Sequence, residues 1–427
     1  MIAEKAFGQL LQLDERWEVT AAVFETEPRE QFVIAVRETA KLWPSLRCPE
    51  GRCGEIKVVC HDHAEPRRWR HLDAFGKRTE IVCAPPRARC KGCEKIWTVK
   101  VPWEGKGKHF TKDFEAFSLT LMKEMPVKRA EEILGENDTR LWRMLRAHVE
   151  AAYKDLDMSN VTQVGLDEMS VHKGHKYLTV FADLVAHRVL FATEGKDHWT
   201  LHDFVAALEA HNGHPHGITK MAIDLSPAYR KGIEERMRNA IIVYDPFHVS
   251  ALVGKAVDEV RRRECGAGND AIKEALKGSL HLFRKNPENL TDRQKDELDR
   301  LDLAGMATGQ AYQVRLGLRA IYQGRKDKQW ADYRLGAWIN WARAKCERWG
   351  HWLQPVARAV NTIEKHREGI LAHWDGELST AYLEGLNSVF SAVKRKARGY
   401  RNTDYLKTIL YFVAGKLPLN LYPSPGK

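Results

Sequence analysis

The stretch from Val161 to Val249 constrains this chain most, because short apolar runs and polar turns alternate in it in a fixed order. It reads VTQVGLDEMSVHKGHKYLTVFADL, then a helix-like segment, then GITKMAIDLSPAYR and AIIVYDPFHV. β-branched and aromatic residues between polar turns predict strands at 161–167, 177–183 and 188–193. Leu201, Phe204, Val205 and Leu208 recur at helical spacing and predict a helix over 199–210. A strand at 218–223, a helix at 227–237 opened by Pro227, a strand at 240–244 and a helix from about 249 complete the series. Asp167 and Asp224 are each expected to end an apolar strand.

Three strands, helix, strand, helix, strand, helix is the element order of a ribonuclease H-like fold, a mixed five-stranded sheet with flanking helices. In that architecture the first and fourth strands are neighbours and end together, so Asp167 and Asp224 are expected side by side. Two carboxylates on rigid strands bind divalent cations, which activate water and stabilise the leaving oxygen in phosphoryl transfer. Either aspartate alone reads equally well as a turn residue; the pair in this order, with a third acid downstream, favours catalysis. That acid is Glu384. On a helix over 382–393, Leu383, Leu386, Phe390 and Val393 form an apolar stripe, and Glu384, Asn387, Ser388 and Ser391 share the opposite face. Lys394, Arg395, Lys396 and Arg398 follow, with Arg401 beyond. This suits a third metal ligand leading into a phosphate track; the alternative is a surface glutamate before a solvated basic run.

A net charge of +11 favours a polyanionic partner. No apolar run is long enough to span a bilayer, and the first eleven residues lack the pattern of a signal peptide, so a cytoplasmic chain without a membrane partner is expected. Six of the eight cysteines precede residue 100. Cys48, Cys53, Cys90 and Cys93 form two close pairs of the kind that hold Zn²⁺ tetrahedrally, while Cys60, His61 and His63 compete as ligands. Arg67, Arg68 and Arg70 lie among aromatic residues nearby and make a phosphate-binding or simply solvated basic face. After a Gly-Lys linker, Val127, Ala130, Ile133 and Leu134 predict a short helix that turns sharply at Gly135. Asp138 or Thr139 then caps a second helix carrying Arg140, Arg143 and Arg146 outward. This is the outline of a helix-turn-helix. From about 255 to 374 the pattern is helical, and its close-set tryptophans 330, 338, 341, 349 and 352 are expected in its core.

Gly165-Leu-Asp-Glu168, Lys173-Gly-His-Lys-Tyr177, Asp224-Leu-Ser-Pro-Ala-Tyr229, Asp245-Pro-Phe-His248, Arg261-Arg262, Glu384-Gly-Leu-Asn387 and the basic run 394–402 follow one another in the order found in a known family. In these motifs the chain resembles the bacterial insertion-sequence transposases of the ISL-three type, over nearly its whole length. The resemblance implies a DDE triad of Asp167, Asp224 and Glu384 binding Mg²⁺ or Mn²⁺, and an accessory Asp245 and His248 that support the site or position DNA. It also implies binding of double-stranded element ends and target DNA in the bacterial nucleoid, by a homodimer or larger assembly. The expected order is a multidomain α/β chain: a β hairpin and zinc domain over 1–101, a helix-turn-helix over 102–158 and a catalytic core over 159–254. An all-helical insertion over 255–375, the last core helices over 376–416 and a disordered or loosely docked tail over 417–427 follow. A DNA-binding regulator with an inert core, and a structure-selective nuclease without strand transfer, are the rival readings.

Overall fold

The computed structural model of the protein describes residues 2–51, 53–54, 56–172, 176–267, 270–325, 327–376, 381–400 and 402–422, without the side chains of 2, 3, 172, 176, 381 and 384. The chain divides into two compact units, Met1–Asp155 with Ala392–Lys427, and Leu156–Ser391.

In the first unit, β1 (Trp17–Glu25) and β2 (Gln31–Glu38) form an antiparallel hairpin. Two further strands, β4 (Arg67–Ala74) and β5 (Lys77–Cys83), extend it in the order β1-β2-β5-β4. A second sheet has the order β3 (Val58–His63), β6 (Pro86–Cys90) and β7 (Ile96–Thr98). Alternating apolar residues of these strands close on Trp17, Trp69 and Trp103, which meet edge to face at 5.2 and 5.8 Å. Helices Lys112–Glu124, Val127–Leu134 and Asp138–Lys154 follow. Gly135, at φ +60°, makes the turn between the last two, a conformation that a β-carbon would strain. The cap of the third helix is Asn137, which accepts from Thr139 N, rather than Asp138 or Thr139. The short second helix buries Val127, Ala130 and Leu134 and leaves Ile133 exposed. Helix Thr403–Ala414 packs on the third helix, with Tyr405 stacked on Trp142 at 4.3 Å. The tail is docked as far as Tyr422, whose N donates to Thr120 Oγ1 at 3.0 Å.

The second unit is built on one sheet: β8 (Gln163–His172), β9 (Lys176–Asp183), β10 (Arg188–Glu194), β11 (Lys220–Ile223) and β12 (Ile241–Tyr244). Its order is β10-β9-β8-β11-β12, antiparallel on the β9 side of β8 and parallel on the β11 side. Helix Trp199–Ala210 covers the antiparallel half, its Phe204 stacked on Phe181 at 4.3 Å. Helices Pro227–Arg236 and Pro246–Ala267 leave the ends of β11 and β12. Three long helices then follow, Ala307–Tyr322, Lys328–Trp349 and Gln354–Lys365. Glu264, buried at the end of Pro246–Ala267, accepts from Ala307 N and Thr308 N and so caps the first of them. Of the five tryptophans expected in the core here, Trp338 is buried, while Trp341 is exposed. A long indole face can rest on a helix edge without being enclosed. Helix Ala381–Lys396 begins in this unit. No helix among the described residues is long and apolar enough to cross a membrane.

Candidate active site and metal centre

The register of β8 and β11 sets the site. Lys220, Met221 and Ala222 lie opposite Gln163, Val164 and Gly165, and Asp224 and Asp167 each stand two residues past the last of these pairs. Adjacent strands are about 4.8 Å apart, so the two carboxylates are neighbours. Asp224 follows the end of β11, as expected. Asp167 does not end its strand: β8 runs on to His172 paired with β9 alone, and Asp167 marks where the parallel partner stops. The apolar run ends there, but an edge-paired strand tolerates the polar residues that follow.

Each aspartate is held by a main-chain N–H, Asp167 by Glu168 N at 2.7 Å and Asp224 by Ser226 N at 2.9 Å. The other oxygen of Asp167 accepts from the Asn387 side chain, on the Ala381–Lys396 helix. Gly165 explains how this helix comes so close: a β-carbon there would stand 2.7 Å from Leu383 Cδ1. Glu384 belongs to the same helix, three residues before Asn387. Its side chain lies outside the described residues.

His248 Nε2 stands 4.0 Å from Asp167 Oδ1. Asp245 is buried, and its Oδ1 accepts from Phe247 N at 2.9 Å. It therefore opens the helix that carries His248, one turn on. Burial pushes the Asp224 carboxyl above its ordinary range, and the charge of Asp167 adds to this, against Ser226 N, His248 and Lys255. Glu168, on the other face of β8, is also pushed up by burial and by both aspartates, while Tyr229 donates to it at 2.6 Å. Sequence reasoning assigned no role to Glu168, Tyr229, Lys255 or Asn387. Glu168, Tyr229 and Asn387 each lay within a motif, and Asn387 also shared the Glu384 face; Lys255 carried no signal.

In the first unit the sulfur atoms of Cys48, Cys53, Cys90 and Cys93 all lie within 4.8 Å of one another, with Cys48 and Cys93 at 3.5 Å. A tetrahedral ion with metal–sulfur bonds near 2.3 Å needs sulfurs about 3.8 Å apart, so the four thiols fit one ion. Main-chain N–H groups of Cys93 and Gly92 lower the Cys90 thiol to about 7 and predispose it to ionise. Proton sharing with Cys93, together with burial, raises Cys53 to about 12. Cys60 and His63 do not join these four but gather around Glu38, and His61 turns to Asp62 at 3.1 Å.

The expected DNA-contacting residues divide. Arg70 is a correction: it is 3% exposed, because its guanidinium is drawn in to Asp73 and Glu136 and covers Phe114. Arg68 is half exposed and bridges Glu25 and Glu80, whereas Arg67 lies over Trp69 and pairs with Glu104. Arg67, Arg140 and Arg143 converge on His109, whose pKa falls through burial and then their positive charge. Arg143 and Arg146 are exposed, the latter paired with Glu150 at 2.5 Å. Lys394 and Arg395 end the Ala381–Lys396 helix, Arg398 sits in a left-handed turn at φ +54°, and Arg401 lies outside the described residues, as do 173–175.

Comparison with known proteins bears on both units. A family model described as a transposase, of the ISL3 DDE type, matches residues 164–410, more than half of the chain. The helix-turn-helix domain of transposase family ISL3 matches residues 99–149. The transposase for insertion sequence element IS1001 of Bordetella parapertussis is 28% identical over 89% of this chain and 90% of its own length. The transposase for IS1557 of Mycobacterium tuberculosis is 29% identical over 97% of this chain and 96% of its own.

Proposed function

Since the chain belongs to the ISL3 family of insertion-sequence transposases, we propose that it binds the terminal inverted repeats of its own element, cuts DNA strands there and joins them to a target. The observation that carries this reading is that Asp167 and Asp224 each stand two residues past the last pair of the parallel strands β8 and β11, with Asn387 of the Ala381–Lys396 helix bonded to Asp167. The strand order, with its parallel and antiparallel halves, supports a ribonuclease H-like core, and the helices over 255–375 an insertion within it.

Asp167, Asp224 and Glu384 would hold two divalent ions, Mg²⁺ or Mn²⁺, which lower the pKa of water and stabilise the leaving 3′ oxygen. The raised pKa of Asp224 fits a site built for cations, since two close carboxylates repel until positive charge arrives. Asn387 and Glu168 N fix the Asp167 carboxylate, and Ser226 N fixes Asp224, so neither must reorganise as charge develops. Asp245 and His248 position: the first starts the helix, and the second carries polarity to the edge of Asp167. Cys48, Cys53, Cys90 and Cys93 would hold Zn²⁺ and shape the domain that presents Arg67 and Arg68 beside the helix-turn-helix arginines 140, 143 and 146. Lys394, Arg395, Arg398 and Arg401 would line the phosphate path. Two ends must meet, so the acting form is a dimer or larger assembly on bacterial DNA.

A labelled inverted-repeat end, Mg²⁺ and a target plasmid test the reading. Wild type should cut and join; Asp167→Asn, Asp224→Asn and Glu384→Gln should each lose about a thousand-fold in cutting, with end binding within two-fold. Binding without cutting by wild type would make the chain a regulator, and cutting without joining a nuclease.

A further inference from the structure

A second cluster of metal-ligating side chains lies apart from the four cysteines. Glu38, Cys60 and His63 bring one donor atom each to within 4.8 Å of the others. Spacing alone does not account for this, since Cys60 and His63 are three apart on β3, and an odd separation sends side chains to opposite faces of a regular strand.

A bulge reverses the alternation. β3 pairs with β6 as Val58 to Cys90, Val59 to Arg89 and Cys60 to Ala88; then His61 is passed over, and Asp62 meets Arg87 and His63 meets Pro86. Directly opposed residues of an antiparallel pair share a face. Cys60 and His63 thus take the face of Ala88 and Pro86, whereas Asp62 takes the other face and binds Arg87 at 3.0 Å. Bulges of this kind re-aim side chains at functional sites. Glu38 reaches the same spot from the last residue of β2, which belongs to the other sheet, and its carboxylate is only 12% exposed where it meets His63 Nε2 at 2.8 Å.

One thiol, one imidazole and one carboxylate make a borderline-soft donor set that suits Zn²⁺ better than Mg²⁺ or Ca²⁺. We propose that Glu38, Cys60 and His63 form a second zinc site, with three protein ligands and one open position, which ties the end of β2 to the bulge of β3. Binding releases the Cys60 proton to solvent and takes His63 in its neutral form, with Glu38 as carboxylate. The site stands on this geometry alone and does not depend on the transposase reading.

Metal content of the purified full-length chain after Zn²⁺ loading and desalting tests it, with Co²⁺ substitution reporting thiolate ligation. Wild type should hold two equivalents; Cys60→Ser, His63→Ala and Glu38→Gln should each hold one fewer, with unchanged circular dichroism. In the Co²⁺ form, Cys60→Ser should lose part of the sulfur-to-metal absorption and keep the tetrathiolate bands. An ion pair between Glu38 and His63, with no metal, would leave the metal content of all three variants equal to wild type, and that result overturns the proposal. Cys60 is exposed, so its replacement by Ser does not disturb the core.

Discussion

The cysteine cluster and the acidic pair are opposite solutions to holding a cation. Four thiols can crowd together without one, because neutral sulfurs share protons and attract N–H groups; Cys48 and Cys93 stand 3.5 Å apart. Two carboxylates cannot. Asp167 and Asp224 are kept as neighbours by rigid strands, each accepts from a main-chain N–H, and burial and then the charge of Asp167 push the Asp224 carboxyl above its ordinary range. The closed sulfur site suits an ion that serves the fold. The open oxygen site suits ions that serve chemistry, and its strain without them is the same property that makes it bind them.

This contrast can be broken most forcefully by removing metal. Stripping the cysteine ion, with a chelator or by Cys90→Ser, should forfeit about 10 kcal/mol of apparent binding energy and unfold the β3-β6-β7 region. Hydrogen exchange should show protection lost around Ile96–Thr98 and retained in β8–β11. Equal protection in both regions would mean that the cysteines are ordinary thiols.

A smaller effect is expected at Asn387. Its replacement by Ala frees one oxygen of Asp167 and should lower cleavage or Mg²⁺ affinity by roughly 10- to 100-fold, as other outer partners of metal ligands do. Raising the Mg²⁺ concentration should recover part of the rate. A variant as active as wild type at all Mg²⁺ concentrations would reduce Asn387 to a packing residue.

The smallest effect is on stability, and its sign is informative. A carboxyl whose pKa is raised by folding contributes stability that is complete below its unfolded pKa and is lost as pH rises through the folded value. Ionised Asp224 therefore weakens the metal-free fold at neutral pH. In EDTA, Asp224→Asn should raise Tm at pH 7 and lose that advantage in acid, whereas saturating Mg²⁺ should reverse the order of the two proteins. A lower Tm for Asp224→Asn in EDTA would show that the carboxylate is satisfied by the protein itself.

Much of the second unit was legible beforehand. Helix Trp199–Ala210 coincides with its expected span, and the five strands fall where apolar alternation placed them, within a few residues. Strand ends were less legible: β8 continues five residues past Asp167, because pairing with β9 persists after the neighbour on the other side has stopped. Charge was least legible. Arg70 shares a face of β4 with Arg68 in a run of arginines that reads as one basic surface, yet it is covered beside Asp73, Glu136 and Phe114, while Arg68 stays half exposed.

The order of elements, the two aspartates at comparable points of neighbouring strands and the four cysteines in two close pairs were determined by the sequence alone. Each rests on periodicity or spacing over a few tens of residues. Only the tertiary structure decided that Asn387 holds Asp167 across 220 residues, that a bulge turns Cys60 and His63 toward Glu38 and away from the other cysteines, and that burial raises Asp224. These depend on which distant groups share a face and on how much water they exclude, and neither is written in any local pattern.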